Sequence, residues 1–119
     1  MADEDLRGAE LELDELRATY ELNDWQNNQV WCFYGYIYTQ YGDYGRAIDA
    51  YEKAVAISNH DLPVQWTSLA SLYFARHQYD MALKTLLTHK QRSRTGRISD
   101  EETAMIERLR ALGVTEETL

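Results

Sequence analysis

The sequence predicts an all-α protein built from antiparallel helix–turn–helix repeats, and three observations support this. A pattern of aromatic residues and alanines returns after 35 residues, and a repeat of about that period indicates stacked helical units. The aromatic residues follow one another at helical spacings of three or four. One proline and six glycines leave little turn material for a many-stranded fold. The matched pairs are Trp31 and Trp66, Tyr38 and Tyr73, Tyr44 and Tyr79, and Ala47 and Ala82.

Length and composition limit the class of protein. A chain of 119 residues is expected to form one domain. Its single cysteine, Cys32, excludes a disulfide framework and a cysteine zinc site. The start, Met-Ala-Asp-Glu-Asp, is unlike a secretory signal, and no apolar run approaches the roughly 20 residues that span a bilayer. We therefore expect a cytoplasmic protein without membrane insertion.

The net charge of −8 is concentrated at the N-terminus. Residues 1–26 hold nine acids and two arginines, whereas residues 27–119 hold eleven acids and ten bases. Nucleic acid is therefore not expected as a partner, because its recognition requires a basic surface.

Residues 1–26 are predicted to form an acidic amphipathic helix that precedes the repeats. Its apolar residues are spaced by three and four, and Asn23–Asp24 and Asn27–Asn28 then break the pattern. The apolar seam consists of Leu6, Ala9, Leu13, Leu16 and Tyr20. Three roles remain open for this helix: packing on the first repeat, self-association through residues 6–20, or ordering only with a partner.

The first predicted repeat covers residues 28–61. Its first helix carries an aromatic stripe and closes at Gly42–Asp43, and its second helix begins near Tyr44. Gly35 and Ala47 are small residues where the two helices are expected to approach closely. The stripe consists of Trp31, Tyr34, Tyr38 and Tyr41.

The second predicted repeat covers residues 63–91 and begins at Pro63, a residue that suits the first turn of a helix. Its turn is placed at His77–Gln78. His89 stands where the first repeat has Ala54, so we expect either looser packing there or the end of the helix.

A basic loop at 92–98 and a final helix at 99–113 complete the predicted organisation. Ser99 and Glu102 have the spacing of a capping box, and Gly113 is expected to cap the other end. Since this helix lacks the tryptophan and tyrosines of a third repeat, we interpret it as a capping helix for the array.

The repeated residues resemble the tetratricopeptide repeat (TPR) family over residues 28–90. The first-helix positions of its consensus are filled by Trp31, Tyr34, Gly35 and Tyr38, and then by Trp66, Leu69, Ala70 and Tyr73. In the second helix, Ala47, Tyr51 and Ala54 match fully, whereas Ala82, Leu86 and His89 match in part. Asn59 departs from the consensus proline.

This resemblance implies a TPR-like α-solenoid of two repeats that binds an extended or helical segment of a protein client in a concave groove. The groove positions of the family correspond here to Gln29, Cys32, Tyr36, Thr39, Gln40, Thr67, Ser71 and Phe74. One TPR subclass holds a C-terminal carboxylate with lysine and asparagine. Those two places are Cys32 and Tyr36 here, so no carboxylate clamp is expected.

No catalytic, cofactor or metal site is expected. The sequence lacks a Ser-His-Asp arrangement, a glycine-rich phosphate loop and a paired-carboxylate site. His60, His77 and His89 have no second ligand at a spacing typical of metal sites. The clusters of acids at 3–5 and 100–102 are instead typical of helix starts.

The basic run near the end of the second repeat has two interpretations. It is either a solvated loop beside a helix C-terminus, which favours cations, or an electrostatic docking patch for an acidic partner or for the acidic N-terminal helix of a second copy. Its residues are Lys90, Arg92, Arg94 and Arg97.

At the level of the whole chain, the sequence predicts a non-catalytic TPR adaptor or chaperone. The alternative is a structural module that self-associates through its N-terminal helix.

Overall fold

The computed structural model describes residues 3–57, 63–93 and 95–115, and over these residues the chain is helical without any strand. The helices are α1 Asp3–Thr19, α2 Asp24–Tyr41, α3 Tyr44–Ile57, α4 Pro63–Ala75, α5 Tyr79–Arg92 and α6 Asp100–Ala111. The chain divides into two compact units, Met1–Asn59 with α1 to α3 and His60–Leu119 with α4 to α6. The predicted all-α fold of paired helices is confirmed. Arg94 and the predicted end of the first repeat at 58–61 lie outside the described residues.

A capping box starts α2 earlier than the sequence suggested. The side chain of Asn23 accepts a hydrogen bond from the backbone N–H of Gln26 at 2.8 Å, and Gln26 Oε1 accepts one from the N–H of Asn23 at 3.0 Å. These two bonds satisfy donors that a helix start leaves open. The predicted segment 1–26 therefore contains α1 together with the first turn of α2, and Asn27–Asn28 lie inside α2.

Helix α2 ends at the predicted turn through a left-handed residue. Gly42 has φ 79°, its N–H donates to the carbonyl of Thr39, and the N–H of Asp43 donates to the carbonyl of Tyr38. This pair of bonds is a Schellman motif, which glycine favours because it has no Cβ. The end of α4 has the same bonds, from His77 to Phe74 and from Gln78 to Tyr73.

Helices α2 and α3 pack as an antiparallel pair around Gly35. A Cβ at this position would lie 2.6 Å from Cε2 of Tyr51, so the tyrosine ring fills the space that the glycine leaves. Asn28 is buried and donates from Nδ2 to the carbonyl of Ala54 at 2.6 Å. A buried amide pairs in this way because an unpaired polar group would lose its bonds to water.

Helix α1 packs against α2 through a polar row as well as through its apolar seam. Asp14 Oδ1 accepts a hydrogen bond from the hydroxyl of Tyr34 at 2.5 Å, and the guanidinium of Arg17 lies 4.5 Å from the Trp31 ring centroid. Glu10 accepts a hydrogen bond from Tyr38 one turn further along. The two helices therefore run antiparallel, with the aromatic stripe of α2 facing charged residues of α1.

In the second unit, α4 and α5 pack around a fully buried His89. Its ring stacks on Trp66 with centroids 5.0 Å apart, and its Nδ1 lies 2.6 Å from Glu102 Oε2. The expectation of looser packing at this position is wrong, because the imidazole is buried and makes close contacts with Trp66 and Glu102. The other expectation holds, since α5 ends at Arg92.

Helix α6 has the predicted capping box. Ser99 Oγ accepts from the N–H of Glu102 at 3.1 Å, and Glu102 Oε1 accepts from the N–H of Ser99 at 3.3 Å. The helix ends in another Schellman motif, with Gly113 at φ 90° as its left-handed residue. Ile106 and Leu109 are buried within the unit, so α6 covers apolar surface as a capping helix does.

Candidate partner-binding surface

The predicted groove residues of the first unit all lie on α2, but they differ in what they offer a partner. Tyr36 and Gln40 are exposed, whereas Gln29, Cys32 and Thr39 are half-buried. Thr39 donates its hydroxyl to the carbonyl of Gly35 at 2.7 Å, and Gln29 donates to Asn28 Oδ1 at 3.1 Å. Tyr36 is therefore the largest side chain of this set that is available for contact.

The thiol of Cys32 has low reactivity. Burial raises the pKa of its thiol from 9.0 to about 11, because the thiolate would lose solvation. At neutral pH the side chain is a protonated thiol, which is a weak nucleophile and a weak metal ligand. Half-buried and protonated, Cys32 behaves as a small apolar side chain.

An apolar groove of about 560 Å³ runs between α1 and α2. One wall belongs to the seam of α1, and the other belongs to a second face of α2 that the aromatic stripe leaves free. The lining residues are Leu6, Ala9, Glu12, Leu13, Leu16, Phe33, Tyr36 and Ile37. Phe33 and Tyr36 are 56% and 48% exposed, which is unusual for two neighbouring aromatic side chains.

Of the eight predicted groove residues, this apolar groove contains Tyr36 alone. Sequence reasoning missed Phe33 and left the role of Leu13 and Leu16 open among packing, self-association and ordering with a partner. A signal was present in the spacing of Phe33, Tyr36 and Ile37, which forms a second apolar face on α2. The seam of α1 is buried at Leu6, half-buried at Leu13 and 36% exposed at Leu16, so it is only partly used for packing on α2.

The flank of α1 beside its apolar seam contacts the aromatic stripe of α2, and this contact positions the groove. Burial raises the pKa of Tyr34, and the hydrogen bond to Asp14 raises it further. Burial, followed by the hydrogen bond to Glu10, raises the pKa of Tyr38 to about 12. Both phenols therefore remain hydrogen-bond donors to α1 at neutral pH. This row anchors α1 along α2 and leaves its apolar seam at the mouth of the groove.

In the second unit, the predicted groove residues lie on α4. Ser71 is exposed, Thr67 is half-buried, and Phe74 is half-buried under α6. The Phe74 ring lies 5.0 Å from the Tyr79 ring, and the guanidinium of Arg108 lies 5.0 Å from its centroid. A small cavity of about 220 Å³ adjoins this ring, lined by Phe74, Glu101, Ala104, Met105 and Arg108. Phe74 thus already has partners within its own unit.

The predicted docking residues are exposed where the structure describes them. Lys90 and Arg92 lie in the last turn of α5, and Arg97 lies in the loop before α6. The Arg92 guanidinium lies 5.8 Å from the Trp66 ring, on the side chain that also stacks with His89. The exposed acids Asp100 and Glu101 begin α6 close by in sequence.

Across the described ranges, no three metal-binding side chains come together. The same ranges contain no helix with the length and apolar character required to cross a membrane.

Comparison with known families identifies the helical hairpin. Residues 29–61, which contain most of α2 and all of α3, match the family model described as tetratricopeptide repeat. A comparison with curated proteins gives no match. TPR domains generally mediate protein–protein interaction. Residues 29–61 are therefore similar to a tetratricopeptide repeat, and the matched repeat is the α2–α3 hairpin.

Proposed function

We propose that the protein is a non-catalytic interaction module, an adaptor or chaperone that holds a helical or extended segment of a protein client. The observation that carries this proposal is the apolar groove between α1 and α2. Apolar surface that stays exposed in a folded domain is a common property of protein-binding sites. Phe33 and Tyr36 are suited to anchor a partner, because aromatic side chains bury a large area at low conformational cost.

The chemistry of the groove indicates which interactions would hold a client. Its lining contains a single charged side chain, Glu12, and no base. Cys32 and Tyr36 occupy the two places where related domains hold a carboxylate, and neither carries a positive charge. We therefore propose that the client is held by burial of its apolar side chains and not by a charged terminus. Contributions from Thr67, Ser71 and Phe74 stay predictions, as does a cytoplasmic location.

Site-specific photo-cross-linking in the native host tests this function. The photo-reactive residue p-benzoylphenylalanine replaces Tyr36 in one variant and Trp25 in a matched control. Trp25 is an aromatic residue of the same helix that is 57% exposed and lies outside the groove lining. We expect a discrete covalent adduct with a client from position 36 and none from position 25. The same adducts from both positions, or none from position 36, would contradict the proposal.

Self-association is the second candidate, because Leu16 and Tyr20 of the α1 seam are exposed. In this case the groove or the seam would pack against a second copy. Sedimentation equilibrium of the full chain and of its Leu16→Glu variant separates the two candidates. A dimer that the substitution dissociates supports self-association, whereas a monomer in both samples leaves the client as the occupant of the groove.

A further inference from the structure

We infer that the segment held by the apolar groove is an amphipathic helix with lysine or arginine along one flank. This inference rests on the proposed function and adds the conformation and the charge of the client. It follows from three features of the first unit: the lining of the groove, its length, and the distribution of charge along its two rims.

The lining favours a helix over an extended segment. The walls are side chains of two helices, so they present no unpaired strand edge to a partner. Glu12 and the hydroxyl of Tyr36 supply the polar atoms of a mainly apolar lining. An extended peptide would lose hydration at its backbone N–H and C=O groups without replacing those bonds. A helix satisfies these groups internally and presents only side chains to the walls.

The length of the groove fits a short helix. On α1 the lining runs from Leu6 to Leu16, which at about 1.5 Å per residue is a distance of about 15 Å. That distance accommodates about three turns of a client helix. Apolar side chains spaced three and four residues apart along those turns would reach Phe33 and Tyr36 on the opposite wall.

The charge of the rims favours a basic client. Helical spacing places Asp5, Glu12 and Glu15 along the side of α1 that borders the groove away from α2. Asp5 and Glu15 are exposed, and Glu12 belongs to the lining itself. The two bases of α1 lie away from this rim. Arg17 lies over Trp31, and Arg7 is on the opposite face of the helix from Glu12. The rim on α2 carries the uncharged amides of Gln29 and Gln40.

The same charge argues against a second copy that pairs groove to groove. Residues 1–59 contain twelve acids and four bases, whereas residues 60–119 contain eight of each, so the whole excess of negative charge belongs to the first unit. Two copies that paired through this groove would bring their acidic rims together. Like charges repel, and complementary charge is what favours one partner over another.

A binding assay with defined peptides tests the inference on the full chain. The basic probe is a fluorescent 15-residue peptide with a leucine stripe at helical spacing and lysines on one flank. The acidic probe has glutamate at each lysine, the scrambled probe breaks the leucine stripe, and the proline probe carries a central proline. Fluorescence anisotropy gives each Kd. We expect the basic probe to bind most tightly, and the central proline to weaken it at least about tenfold because it breaks the helix.

Matched variants locate the bound probe. The double variant Phe33→Ser/Tyr36→Ser should weaken the basic probe by about tenfold or more, as loss of central aromatic anchors does. Its control, Trp25→Ser, should not change the Kd. Glu12→Lys should weaken binding about threefold or more at low salt, whereas Asp49→Lys on an exposed part of α3 makes the same change in net charge and should have little effect.

The outcomes separate the inference from the function on which it rests. Equal binding of the basic and scrambled probes, or of the basic and proline probes, would overturn the helical client. Equal loss in Glu12→Lys and Asp49→Lys would show attraction to net charge alone and would overturn the basic rim. If the residue at position 36 cross-links a client while the basic probe fails to bind, the function stands and this inference fails.

Discussion

His89 and Glu102 join α5 to α6 through a buried contact, with Nδ1 of His89 2.6 Å from Oε2 of Glu102. Both side chains are almost entirely buried. The geometry fits the tautomer in which Nδ1–H donates to the carboxylate, because Nε2 has no hydrogen-bond partner among the described residues. The other carboxylate oxygen of Glu102 accepts from Ser99 in the capping box. One carboxyl group therefore both starts α6 and attaches it to α5.

Replacing Glu102 should consequently destabilise the protein strongly. Glu102→Ala removes the side-chain half of the capping box and leaves the Nδ1–H of His89 buried without an acceptor, a loss that we expect to be about 3 kcal/mol. His89→Ala should also be destabilising, because it leaves Oε2 of Glu102 buried without its donor and removes the ring that stacks on Trp66. Urea denaturation of both single variants and the double variant measures the coupling, which should be about 1 kcal/mol or more. Additive losses would contradict a direct interaction.

Gly35 should not tolerate even one added methyl group. In Gly35→Ala, the new Cβ would lie 2.6 Å from Cε2 of Tyr51, and displacing that buried ring should cost about 1–3 kcal/mol despite the better helix propensity of alanine. The matched control is Gly8→Ala, since a Cβ at Gly8 meets nothing within 4 Å. This control should stabilise the chain by up to about 1 kcal/mol.

A second substitution should rescue the first. The matching places of the second repeat hold Ala70 and Leu86, which are both fully buried. We therefore expect Gly35→Ala/Tyr51→Leu to be more stable than the sum of its two single variants predicts. Thermal unfolding followed by circular dichroism gives this comparison, and strict additivity would show that the contact with the tyrosine ring is not the cause of the loss.

His77 occupies a left-handed position that glycine fills in the first repeat. Its φ is 59°, and it makes the same Schellman bonds as Gly42. His77→Gly should stabilise the protein by about 1 kcal/mol, because glycine adopts this conformation without a steric penalty. The gain is reduced by the loss of the edge contact between the His77 and Tyr79 rings. Gly42→Ala is the converse variant and should destabilise by a similar amount, as measured by urea denaturation.

Cys32 should react slowly with thiol reagents in the folded protein. Raising its pKa from 9.0 to about 11 lowers the thiolate fraction at neutral pH about a hundredfold. Alkylation by iodoacetamide at pH 7.4 should therefore be much slower in the native chain than in urea. Because the pKa of this thiol is higher in the folded chain, its protonated form favours the folded state below pH 9. This contribution to stability falls as the pH rises from 9 towards 11. Equal rates in the two states would contradict the burial of the thiol.

The sequence predicted the helical pairs well because each pair repeats a local pattern. Three features depend on residues that are close to one another in the chain: the helical spacing, Gly42 in the turn of the first repeat and the Ser99–Glu102 capping box. The start of α2 was missed for a related reason. The asparagines at 27 and 28 resemble turn residues, but the Asn23–Gln26 box begins the helix before them, and Asn28 bonds to a carbonyl of α3.

The candidate site was predicted only at Tyr36, because the rest depends on which face of α1 packs against α2. Spacing identified the apolar seam of α1, and an apolar face is expected to be buried. In the structure this seam is only partly buried, because Glu10, Asp14 and Arg17 beside it face Tyr38, Tyr34 and Trp31. Hydrogen bonds and ring contacts between distant residues decided the rotation of α1, and no local pattern encodes them.

The two matching tryptophans show how each half of the chain is completed. Trp31 lies between the cations of Arg17 from α1 and Lys53 from α3. Trp66 stacks with His89, which α6 in turn holds through Glu102. The first helical pair is thus completed by α1, which precedes it, and the second pair by α6, which follows it. Each compact unit of this protein is a set of three helices around a tryptophan, with the third helix placed before the pair in one unit and after it in the other.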